Sequence, residues 1–160
     1  MKQKLSILSV LMIAAVLLAF AGQIVTAQDG EAAAEKSLYE RLGGVYAIAS
    51  VVDALIEKLL VNETLNSNPL INEAHNRLPK AGIKFQVTAL VCKLTGGPEK
   101  YSGRDMASSH AHLKISEKHW KAFEADFMAN LNEFKVPEKE QGELLALVRS
   151  AKGDIVTVEE

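Results

Sequence analysis

The side chains best suited to ligating a transition metal in this chain are His75, Cys92, His110, His112 and His119. A neutral imidazole ligates through one ring nitrogen while the other donates a hydrogen bond that fixes tautomer and orientation. His110 stands four residues after Met106 and follows a run rich in turn formers, Thr95-Gly96-Gly97-Pro98-Glu99-Lys100-Tyr101-Ser102-Gly103. His112 is two positions further on. A helix turns about 200 degrees over two residues, so His110 and His112 cannot face one ion from the same helix, whereas a non-helical turn would let them chelate one together. A lone histidine beside a helix is ordinarily a surface or hydrogen-bonded core residue, so that reading stands beside the ligand reading. His75, among turn-forming asparagines, is expected as an exposed loop histidine, and His119, at the start of a helical pattern, is expected in solvent. Cys92 is the only cysteine. It can form no internal disulfide, nor the paired thiols of a Cys-x-x-Cys-His cofactor attachment, and is expected as a buried structural thiol.

The elements that position these side chains are helical. Leu38, Tyr39 and Leu42 make a short first helix stopped by Gly43-Gly44. Val45, Ile48, Val52, Leu55, Ile56 and Leu59 then recur at helical spacing, predicting a second helix that ends near Leu60. From Val61 to Leu78, Asn62, Asn66, Asn68, Pro69 and Asn72 favour turns, and a corner with at most short helical turns is expected. Ile83, Val87, Leu90, Val91 and Leu94 mark a third helix from about Pro79 to Gly96-Gly97. A short helix over Arg104 to Ala111 would carry His110. Ser116 caps a long one bearing Trp120, Phe123, Phe127, Leu131 and Phe134. Pro137 opens the last, with Leu144, Leu145, Val148 and Ala151 inward and Gly153 after it. No strand or repeat is predicted.

Composition narrows the function. The chain has 160 residues, 48% hydrophobic, enough for one domain with its own core. Its formal charge is -2, and no basic cluster of the kind that tracks phosphates is present, which argues against nucleic acid as a partner. Met1-Lys2-Gln3-Lys4, the apolar run Leu5 to Ala21 and the small residues Val25-Thr26-Ala27 form the pattern of a signal peptide over 1–27. The expectation is export, to the periplasm, with an uncleaved anchor holding the domain outside the cytoplasmic membrane as the alternative. Contact with a membrane arises only in that alternative. Residues 28–36 are a polar lead-in, 37–156 the folded domain and 157–160 a tail.

Ser37-Leu38-Tyr39-Glu40-Arg41-Leu42-Gly43-Gly44, together with Thr95 to Met106 and the following His110, resembles the group I truncated haemoglobins, small bacterial globins. The resemblance covers roughly Ser37 to Val156. It implies an all-α, two-over-two helical sandwich and non-covalent haem b. It also implies that His110 is the proximal ligand to the haem iron, since the family's proximal histidine follows a methionine by four residues. Tyr101 and Met106 fall on the same motif. Aligned forward from Gly43-Gly44, Ile56 occupies the position where many relatives have a ligand-binding tyrosine. Aligned back from Gly96-Gly97, Ile83 and Val87 occupy positions that are usually polar, which leaves Gln86 as the obvious hydrogen-bond donor on a wall completed by Leu90. Simple core packing explains Ile56, Ile83, Val87 and Leu90 equally well. The family's phenylalanine pair is replaced near Asn68-Pro69-Leu70. Phe85 is placed either beside the macrocycle or in the core, His112 at the haem edge or the surface, and Arg77, Lys80 and Lys84 either at the propionates or in solvent.

The resemblance thus implies reversible binding of O2, NO or CO. Beyond binding it points variously to oxygen storage or transport, nitric oxide dioxygenation and redox signalling, with turnover requiring an unidentified reductase. Two alternatives differ in coordination or class: a six-coordinate electron-transfer or sensing haem protein in which Gln86, His75 or another internal side chain takes the sixth site, and a haem-free His-x-His metal-binding module.

Overall fold

The computed structural model describes residues 35–159; the predicted leader and the lead-in up to residue 34 lie outside them. Ser37 Oγ accepts from the Glu40 amide at 3.2 Å while the Glu40 carboxylate accepts from the Ser37 amide at 2.8 Å. This reciprocal cap starts α1 (Leu38–Arg41). Gly43, at φ +91°, turns the chain in the left-handed region that costs glycine least, and α2 (Gly44–Val61) begins at once. After α3 (Glu63–Asn66) and α4 (Pro69–Arg77) comes α5 (Lys80–Leu94), ended by Gly96 at φ +91°. The remaining elements are α6 (Met106–His110), a 3₁₀ turn (Ala111–Leu113), β1 (Ile115–Ser116), α7 (Glu117–Glu133), α8 (Glu138–Ser150), α9 (Lys152–Ile155) and β2 (Val156–Val158).

Two layers of paired helices result. One core cluster, Ile48, Val52, Ile56 and Cys92 with Ile83, Val87 and Val91 against it, joins α2 to α5. A second, Leu38, Leu55, Phe127, Leu131 and Leu144, joins α2 to α7 and α8. Trp120, Phe123 and Phe127 run along α7 with successive ring centroids 5.5 and 6.0 Å apart. Fully buried Asn130 ties α7 to α2 by donating to the Val51 carbonyl at 2.9 Å. On α1, Arg41 binds Glu140 and, at 2.5 Å, Glu143 of α8.

Three expectations are corrected. The corner after α2 is not irregular: Asn62 and Asn68 accept hydrogen bonds from amides of the following turns, at 3.0 Å from Leu65 and 2.9 Å from Leu70. They act as helix caps, and Pro69 sits in the first turn of the nine-residue α4. Strands do occur, because β1 pairs in parallel with β2, Ile115 opposite Val156, so the predicted tail at 157–158 belongs to the fold. Phe134 falls just past α7, as its C-cap, and is 41% exposed.

Candidate functional site

His110 is the last residue of α6 and is half-buried. Its Nδ1 lies 2.8 Å from the carbonyl oxygen of Met106. A carbonyl only accepts, so Nδ1 carries the hydrogen, and in the neutral ring the lone pair then sits on Nε2. That is the tautomer a metal ligand requires. α6 has five residues and would not hold its shape alone. Asp105 caps it, its carboxylate accepting from the Ser108 amide at 2.7 Å and the Ser108 hydroxyl at 2.8 Å. Those two bonds hold the Asp105 carboxyl below its usual range. Ahead of it, Tyr101 Oη donates to the Arg104 carbonyl at 2.5 Å and closes the loop that delivers Met106.

The segment after His110 is fixed as well. α6 packs on α9, and the 3₁₀ turn packs on α4. Asn68 donates to the carbonyls of Leu113 and Lys114 at 2.9 and 3.0 Å. A third core cluster, Leu65, Ile71 and Ile115 with Leu113 and Ile155, lies under this segment.

On α5, Ile83, Gln86, Val87 and Leu90 are all half-buried. Ile83 and Val87 pack on the cluster that contains Ile56, which is itself buried on α2. Gln86 Oε1 is buried and meets no donor among the described residues. A buried amide oxygen left without a partner costs about 1–3 kcal/mol, so the side chain is better suited to a neighbour than to apolar packing. Tyr101 and Met106 belong to the histidine segment instead of this wall.

The other candidates divide. His112 is exposed on the 3₁₀ turn. His119 is not solvent-facing as expected: it is the third helical residue of α7, and its Nδ1 accepts from the Ser116 amide at 3.1 Å in a cap on that helix. His75 is not an exposed loop residue as expected: it is half-buried on α4, its Nδ1 lies 2.9 Å from Asn66 Oδ1, and burial lowers its pKa. Lys84 reaches Asp53 and Glu57 at 2.6 and 2.7 Å and Lys80 reaches Glu57 at 3.0 Å, so both bind α2. Arg77 is exposed on α4. Phe85 points outward at 66% exposure and is no core filler. Cys92 is fully buried, as expected. Among the described residues no group of three or more His, Cys, Asp or Glu is placed to hold a metal ion, and a His110–His112 chelate has no third ligand there. Asp105 and Asn68 were missed from the sequence; an Asp one residue before a short helix is the signal that marks the first.

One tautomer-fixed imidazole, an apolar stripe with a single buried amide and no paired thiols suit a flat, mostly apolar cofactor with a metal bound from one side. The bacterial-like globin family matches residues 37–157. The chain belongs to that family. It is a haem-binding globin of the truncated, two-over-two type. A group 1 truncated haemoglobin of Synechocystis sp. is 30% identical over 121 residues, 73% of this chain and 90% of that protein. One from Tetrahymena pyriformis is 25% identical over 121 residues, covering 76% and 95%. Among solved structures, the Fe(III) form of the truncated haemoglobin from Tetrahymena pyriformis superposes with a TM-score of 0.64 over 77% of this globin and all of that chain, at 21% identity. The haemoglobin of Chloroflexus aurantiacus gives 0.61 over 78% and all of that chain, at 22%. A 2/2 haemoglobin from Synechococcus sp., solved with covalently attached haem, gives 0.64 at 22% identity, over 76% of this globin and 98% of that chain.

Proposed function

We propose that this globin binds haem b through His110 and takes up O2, NO or CO in a pocket walled by Ile56, Ile83, Val87 and Leu90, with Gln86 as its one hydrogen-bonding side chain. When bound, haem would supply an iron able to take small diatomic gases. The chain's own contribution is threefold. The Met106 carbonyl keeps the His110 ring oriented with Nε2 available. The apolar wall excludes water from the gas side. Gln86 offers a carboxamide donor that favours dioxygen over carbon monoxide. The observation that carries the proposal is the His110–Met106 hydrogen bond in the motif where the family's proximal histidine falls.

With isoleucine and valine at three positions that are commonly polar among relatives, dioxygen should be released faster than from a globin with a tyrosine and glutamine set. One neutral hydrogen bond changes dissociation by up to about tenfold. Stopped-flow dissociation tests this: release as slow as in tyrosine-bearing relatives contradicts it.

Gln86 also supports a second reading, a six-coordinate redox haem in which this side chain occupies the sixth site. A low-spin ferric spectrum that reverts to high-spin in Gln86→Leu selects it. Under either reading, turnover needs an electron donor, a reductase outside this chain. The leader pattern over 1–27 supports export to the periplasm, and N-terminal sequencing of the protein from a periplasmic fraction tests it; an intact leader in the membrane fraction selects the anchored alternative.

A further inference from the structure

Between the end of α5 and the cap of α6 the chain runs as a linker, and residues 98–104 of it are nearly without ties. Within that stretch Tyr101 Oη bonds the Arg104 carbonyl. Among the described residues, Glu99 is the residue of 98–104 that reaches another element: Tyr39 Oη donates to its Oε1 at 2.8 Å, and its carboxylate faces the Cys92 thiol of α5. The same hydroxyl accepts from the Val45 amide at the start of α2 at 3.1 Å. Tyr39 also holds the corner from its other end, its amide donating to the Thr95 carbonyl at 2.8 Å. Its ring lies against Gly97 so closely that a Cβ there would stand 2.5 Å from Cδ2 of Tyr39 and 2.6 Å from Glu99 Oε2. That second carboxylate oxygen is buried without a hydrogen-bond partner, beside the α5 core. Burial first, and then the Glu99 charge, push the neighbouring Cys92 thiol up to about 11.

Downstream, the links are short and sequential. Glu99 is followed by the Tyr101–Arg104 closure, that by the Asp105 cap, and the cap by the Met106 carbonyl that orients His110. The geometry points to Tyr39 and Glu99 as a latch that positions the His110 segment, acting on the iron ligand from α1 through a linker whose reach to other elements, among the described residues, is through Glu99. The inference rests on the proposed assignment of His110 as the iron ligand. The latch itself is testable without cofactor.

Hydrogen exchange of the haem-free, full chain reads it directly. Tyr39→Phe and Glu99→Ala should each raise exchange across residues 98–110 by up to about tenfold, the loss expected for one hydrogen bond. Across residues 98–110 the double variant should do no more than Glu99→Ala alone, since Tyr39→Phe removes there only a bond that Glu99→Ala has already removed. Glu99→Gln keeps an acceptor and should stay near wild type. After haemin addition, the iron–histidine stretching band should shift or broaden in Tyr39→Phe and Glu99→Ala and not in Glu99→Gln. Faster exchange confined to residues 37–47, with 105–110 unchanged, overturns the latch. Failure to take up haemin would leave that exchange result standing and would count instead against His110 as an iron ligand.

Discussion

The ring of His110 reaches back one helical turn to the carbonyl oxygen of Met106, 2.8 Å away. Because α6 ends at His110, this bond forms in the last turn of a five-residue helix held by its Asp105 cap and its packing on α9. Asp105→Ala should therefore loosen the proximal segment and speed haem transfer to an acceptor apoglobin by up to about tenfold. The carboxyl of Asp105 titrates below its ordinary 3.8 in the folded protein. Its stabilisation is thus fully present above that value and fades as the pH falls through the lower, folded one. Wild type should lose helix in that range, and the variant should lack this contribution; equal acid profiles for the two would contradict the role given to the cap.

Gln86 is the one polar side chain on the α5 stripe, and its Oε1 has no partner among the described residues. Replacing it with leucine should raise dioxygen dissociation by up to about tenfold and leave carbon monoxide dissociation within a factor of about two. Flash photolysis and stopped flow on both gases check this. Equal effects on the two would mean that Gln86 acts by volume and not by hydrogen bonding.

Helix periods, the glycine stops and the histidine segment were legible because each is written locally. Gly43 and Gly96 stand where φ is positive, and Met106 to His110 is one turn of helix. The corner was not legible, since Asn68 serves equally as a turn former and as a cap, and only the carbonyls of Leu113 and Lys114, far along the chain, show which. The β1–β2 pair escaped for the same reason: two- and three-residue strands leave no periodicity, and their partner is supplied by tertiary packing. His119 looked like an exposed helix start because its bond to the Ser116 amide replaces the glutamate usual in such a cap.

His75 gives the corner a pH dependence. Burial lowers its pKa from the ordinary 6.5, so the folded state favours the neutral ring and the unfolded chain takes up a proton first. Stability at this site is full above 6.5 and declines as the pH falls through the folded value. His75→Gln, which can still face Asn66, should flatten thermal stability measured from about pH 7 to 5. An unchanged slope would remove His75 as its cause.

Cys92 should be inert in the native globin. It is fully buried on α5 and its pKa is raised to about 11, which leaves about one thiolate in a thousand at pH 8. A thiol reagent should react only after unfolding. Because the folded value lies above the ordinary 9.0, the stabilisation is complete below pH 9 and is lost as the pH rises through 11. Rapid labelling of native protein at about pH 8 would contradict the burial.

The most direct test is spectral titration of the purified chain with haemin, in ferric, ferrous and carbonyl forms, beside His110→Gly with and without added imidazole. Wild type should bind one haemin with an intense Soret band and a ferrous iron–histidine vibration. His110→Gly should lose that vibration and bind haemin far more weakly, and imidazole should restore both. An unaltered vibration and affinity in His110→Gly would show that another residue holds the iron, and the account of this site would fall with it.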